Sequence, residues 1–148
     1  MKKGTPINNL EELLKENSKK LLLAFGYLEE SYRDCLSIDP SYSNNKEELI
    51  YLEALTSRFE RFVDIMLSKY IKSVVLYEGG PSDGTTKDML LYLEKMKLIS
   101  NAYHWVEMKN LRNMIAHDYL YQENRMMKEA VETYIKQDII PFIKKIKK

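Results

Sequence analysis

Six large residues of the chain, Leu52, Leu55, Phe59, Phe62, Met66 and Tyr70, follow one another at steps of three and four. That spacing keeps to one side of an α-helix but scatters over both sides of a strand, so only a helix can bury the stripe as a unit. The run predicts a helix lasting until roughly Tyr77, where "EGGPSDG" stops it. The same periodicity recurs on either side. Leu10, Leu14, Leu21, Ala24 and Leu28 mark a first helix from about Asn9 to Cys35, and "SIDPSYSNN" then forms a loop with N-cap candidates ahead of "KEEL". "TTKDMLLYLEKMKLIS" opens on a Thr cap and carries Met89, Leu90, Leu93 and Met96 on one side, and a short break near Ser100 and Asn101 leads into a fourth helix. The last helix covers about Glu123 to Lys147, turning Met127, Val131, Tyr134, Ile135, Ile139, Phe142 and Ile146 inward, with Pro141 kinking or restarting it. Together these predict an all-α, up-and-down bundle of four to five helices in one domain, 1–148.

Composition narrows the function. With 23 Lys and Arg against 22 Asp and Glu the formal net charge is +1, so the chain lacks the global basic excess of a dedicated nucleic-acid binder and any RNA contact must come from a local patch. The terminal "PFIKKIKK" is basic and offers one candidate RNA contact, although a solvated helix end with cations favoured by the dipole suffices to explain it. One cysteine, Cys35, leaves no intramolecular disulfide and no cysteine-rich metal site, and it fits a reducing compartment. "MKKGTPINNLEELLKEN" lacks the apolar core of a signal peptide, and "LLLAF" is far too short to span a bilayer. A cytoplasmic protein without membrane partners is the expectation.

The stretch "LRNMIAHDYL", residues 111–120, is not generic. At about 100° per residue Trp105, Met108, Ile115 and Tyr119 share one face of the fourth helix, and Arg112 falls inside the same arc. A guanidinium is costly to desolvate, so Arg112 needs an internal carboxylate, a surface covered by another chain, or a cleft that receives an anion. His117 lies about 140° around and about 7.5 Å along the helix from Arg112, so the two converge only at a groove edge, a distorted helix end or a twofold axis. Asp118 can fix the tautomer of His117 or be solvated, and Tyr119 can pack with its hydroxyl at the edge. His104, the other histidine, reads as a first-turn surface residue. Two histidines without clustered carboxylates or cysteines make a poor zinc site, and "EGGPSDG" lacks the order of a phosphate-binding loop. No metal or cofactor is expected.

"RNMIAHDY" resembles the Arg-x4-His-x-Tyr signature of the HEPN superfamily, specifically its HepT-like toxin subunits, with Arg112, His117 and Tyr119 in the motif positions and Asn113 and Asp118 as usual neighbours. The likeness runs from about residue 48 to 146, through "TTKDMLLYLEKMKLIS" upstream and "VETYIKQDIIPFIKKI" downstream; residues 1–47 carry no signature. Where the family often has an Ile-Asp pair, this chain has Gln122 and Glu123.

The resemblance implies a metal-independent endoribonuclease toxin, active as a homodimer whose two motifs meet at the interface. His117 would move the proton of the attacking ribose hydroxyl and Arg112 would stabilise the charged phosphorane. It further implies a minimal nucleotidyltransferase antitoxin that transfers AMP to Tyr119. The alternative, from another class, is a non-catalytic substrate-binding subunit of a nucleotidyltransferase, and a third is a purely structural dimerisation bundle.

Overall fold

A computed structural model describes residues 7–40, 45–81, 83–117 and 124–147. The first helix, α1 (Ile7–Cys35), lies along a long rod made of α2 (Lys46–Ile65) and α3 (Ile71–Glu78), which a π turn at Met66–Tyr70 joins without a break. Two shorter helices, α4 (Thr86–Lys95) and α5 (Ala102–His117), follow. The last rod is α6 (Asn124–Tyr134) and α7 (Ile140–Ile146), joined by a second π turn at Ile135–Ile139. These are five helical rods, and the described residues contain no strand. α1 packs on α2 and α3; α2 also meets α5 and α6, and α4 bridges α3 and α5.

Local chemistry sets the boundaries. Asn45 accepts from the Glu48 amide at 2.8 Å while Glu48 reaches back to the Asn45 amide, and Thr85 and Asp88 repeat this reciprocal capping box at α4. Asn101 caps α5 by accepting from the His104 amide at 3.1 Å. α3 ends on Gly79, whose φ of 78° is the left-handed conformation that spares a side chain there, and the Gly80 amide donates to the Val75 carbonyl. α4 stops in the same way on Lys97, a non-glycine residue with φ 65°, whose carbonyl accepts from Lys145 Nζ at 2.8 Å.

The six-residue stripe that predicts the second helix is buried throughout. Rings chain the rods together: Phe25 meets Phe62, Phe62 meets Trp105, and Trp105 meets Phe142 at 5.4 Å, edge to face. Three expectations are corrected. Met96, assigned to the inner side of α4, is exposed because the helix ends at Lys95 and the chain turns away there. Tyr134 and Ile146 are only partly buried, while Ile143 is buried in their stead. Pro141, expected to kink or restart the last helix, sits in the first turn of α7, directly after the π turn. Neither π turn is foreshadowed in the periodicity. Each adds a residue to one turn, and the first is braced from outside: Asn17 of α1, itself buried, donates to the Lys69 carbonyl at 3.3 Å.

Candidate functional site

α5 presents its apolar arc to the core, with Trp105, Met108 and Ile115 buried as their spacing requires. Arg112 lies in that arc, but near the C-terminal end of α5 the opposing surface is α2, which offers Glu60 and Asp64, four residues apart on one face. The guanidinium meets Asp64 side-on: Nε donates to Oδ1 at 2.6 Å and Nη2 to Oδ2 at 2.9 Å, with Glu60 at 3.5 Å from Nη2. Of the three alternatives that the sequence leaves open for Arg112, an internal carboxylate is therefore present. The residue is nonetheless not enclosed, since its side chain is 27% exposed and that of Asp64 48%.

The hydrogen bonds to Asp64, more than the nearby negative charges, push the Arg112 pKa up and keep it cationic. The side-on contact engages one edge of the guanidinium. Nη1 makes only a long contact, 3.4 Å, to the Asn113 side-chain oxygen. Beside it opens a groove of about 390 Å³ whose polar lining includes Ser68, Lys72, Thr86, Lys109 and Asn113. Three cations, Lys72, Lys109 and Arg112, line it with one acid, Asp64, and Glu60 stands behind Arg112, so the groove keeps a small positive excess that suits an anion with several oxygen acceptors.

Of the residues singled out in the sequence, the structure brings Arg112 and Asn113 together at this groove. His117 is the last residue of α5; its side chain, and the whole of Asp118 and Tyr119, lie outside the described residues. The outer face of α5, opposite Arg112, carries Tyr103 and Met114, 66% and 49% exposed. By helical register the backbone position of His117, three residues beyond Met114, falls on that outer side.

Sequence reasoning missed two things. Asp64 and Glu60 could not be named as the partners of Arg112, because two acids four apart on an amphipathic helix are common on solvated faces. His104 is not simply a first-turn surface residue: its Nδ1 lies 3.0 and 3.2 Å from the two carboxylate oxygens of buried Asp138 on the second π turn. Beside it Tyr134 donates to Glu107 at 3.0 Å, and burial together with that bond pushes the phenol up to about 12. A signal existed, since Asp138 stands between Ile135 and Ile139 on an inward stripe, just as Arg112 does on α5. Among the described residues no three His, Cys, Asp or Glu side chains converge as a metal site would need, and no helix is long and apolar enough to cross a membrane.

No protein-family model, curated protein or solved structure matches the chain.

Proposed function

We propose that the protein is a metal-independent endoribonuclease of the HEPN, HepT-like type, a homodimeric toxin held silent by AMP transfer to Tyr119 from a minimal nucleotidyltransferase antitoxin. The observation that carries this reading is the guanidinium of Arg112, clamped along one edge by Asp64 and offering the Nη1 edge beside an open, cation-lined groove. A cation held in place costs little reorganisation when charge develops on a phosphorane. The ribose 2′-oxygen attacks the adjacent phosphorus, its proton passes to a base, and the P–O5′ bond breaks as the leaving oxygen takes up a proton. His117 is the chain's candidate for the proton transfers.

His117 and Arg112 do not share a face of α5, and the outer face bears the exposed Tyr103 and Met114. That exposed face is one that a second copy of the chain would cover in the homodimer proposed here. AMP on Tyr119 would add a bulky group with a negatively charged phosphate to the motif, which an incoming RNA backbone would meet with repulsion. The second reading, a non-catalytic partner subunit of a nucleotidyltransferase, is favoured by the same ion pair seen the other way: Asp64 and Glu60 already neutralise Arg112.

RNA cleavage by the purified protein separates the two. The nuclease reading expects a dimer by light scattering, cleavage that chelator leaves unchanged, and losses of about 100-fold or more in His117→Ala and Arg112→Ala with the helical circular-dichroism spectrum intact. Cleavage that survives both substitutions, or needs a metal, would overturn it.

A further inference from the structure

The Arg112 groove is not isolated. A second depression, lined by Lys20, Ser68, Lys69 and Lys72, shares Ser68 and Lys72 with it. A third, between α1 and α2, shares Lys20 and Lys69 with the second and adds Arg61, Leu23 and Tyr27. The three adjoin along α2 and the first π turn, so that one track leads from α5 to the outer surface of α1. From Arg61 to Lys72 it runs about 16 Å along the helix axis, a length that about five phosphates of a stacked strand would cover.

Charge is distributed unevenly along it. Six cations line the track, Lys20, Arg61, Lys69, Lys72, Lys109 and Arg112, against two acids, Glu16 and Asp64. Both acids are paired with track cations, Asp64 to Arg112 and Glu16 to Lys20. Among the described residues Arg61, Lys69, Lys72 and Lys109 pair with no carboxylate. In a chain of near-zero net charge this leaves the remaining surface with more acids than cations.

At the α1 end the track turns apolar. Leu23 and Tyr27 are 63% and 49% exposed, and the Tyr27 ring is held from one side by the Arg58 guanidinium, 5.4 Å from its centroid. Arg58 is itself fixed by the Tyr27 carbonyl, Ser31 and Glu30. An exposed aromatic ring, braced on one face and set beside unpaired cations, is the pairing of features that binds single-stranded nucleic acid without reading sequence: phosphates on the cations, a base on the ring.

We infer that the groove from Arg112 over Lys72 and Lys69 to Tyr27 is a binding track for single-stranded RNA, which holds the strand on α1 and α2 while a distant phosphate reaches Arg112. For the identity of the polyanion this rests on the ribonuclease reading. It extends that reading from one scissile phosphate to a multi-nucleotide site lying outside the Arg-x4-His-x-Tyr motif.

The test is fluorescence anisotropy of a labelled oligouridylate of about ten nucleotides, titrated with full-length protein in the His117→Ala background so that the probe is not consumed. Arg61→Gln combined with Lys69→Gln should weaken binding about tenfold at low salt. It should also flatten the slope of log affinity against log salt by about 1.4, at about 0.7 for each lost phosphate contact. Tyr27→Leu should weaken binding roughly tenfold with the slope unchanged, since stacking releases no counterions. All three positions are exposed, and circular dichroism checks the fold. RNA binding that depends on the track, in a wild type that cleaves no RNA, would uphold the track and overturn only the nuclease reading. No RNA binding, or variants that bind with the wild-type affinity and slope, would overturn the track. So would polyglutamate displacing RNA equally well while Tyr27→Leu has no effect, which would make the surface one for acidic protein segments.

Discussion

Arg112 shows how one residue can satisfy two readings until a substitution parts them. A bidentate Arg–carboxylate contact stabilises a fold, but this pair is partly exposed, and exposed pairs contribute about 0–1 kcal/mol. If Asp64 serves mainly to orient the guanidinium, Asp64→Ala should shift the urea midpoint by the equivalent of less than about 1 kcal/mol while RNA cleavage falls tenfold or more. If the pair is structural, the order reverses, with stability falling and no nucleolytic activity to lose. Asp64→Glu, which keeps the charge and lengthens the reach, should retain stability and recover only part of the cleavage. The sequence announced Arg112 because a cation on an apolar arc needs an explanation. It did not announce Asp64, because an acid on a solvated arc needs none. That asymmetry limited how much of the site could be read in advance: the residue out of place was visible, and its partner, in an ordinary place, was not.

At the scale of helices, burial periodicity and caps carried nearly everything. The stripe from Leu52 to Tyr70, the Thr85 cap, the stop at Gly79 and the break before Ala102 all follow from patterns of apolar spacing and turn chemistry. The π turns escaped because one extra residue per rod is absorbed where large apolar side chains, Met66 and Tyr70 in one rod, Ile135 and Ile139 in the other, still reach the core. The second of them matters to the link between rods, since it carries Asp138 inward to His104 on α5. Asp138→Leu should strand the His104 ring nitrogen beside an apolar side chain and cost about 1–3 kcal/mol, read as a lower urea midpoint. Asp138→Asn keeps an acceptor and should cost less. Equal stability of wild type and Asp138→Leu would mean that the contact contributes nothing to holding α5 against the last rod.

For the molecule as a whole, three buried or half-buried groups link stability to alkaline pH. Burial pushes the Cys35 thiol up to about 11, with Glu132 and Asp34 acting in the same direction and Lys128 against them. Burial likewise pushes the Tyr70 and Tyr134 phenols up to about 12. In each case the native state holds its proton more tightly than the unfolded chain. The contribution is therefore complete below the ordinary values of 9 and 10 and is lost as pH rises towards 11 and 12. Urea midpoints should be level from pH 7 to about 9 and fall beyond it, and Tyr134→Phe should blunt the fall. A midpoint that stays level to pH 12 would contradict these shifts.

Those measurements have a built-in optical probe. Trp105 is the chain's lone tryptophan, fully buried between Phe62 and Phe142. Its emission should be blue-shifted in the native protein and move to longer wavelength only when the ring stack comes apart. It sits two helical turns from Arg112, on the inner side of α5, where a strand lying in the groove does not touch it. Intrinsic fluorescence and labelled-RNA anisotropy therefore report on separate events, and one sample can show whether a variant has lost its ligand or its fold.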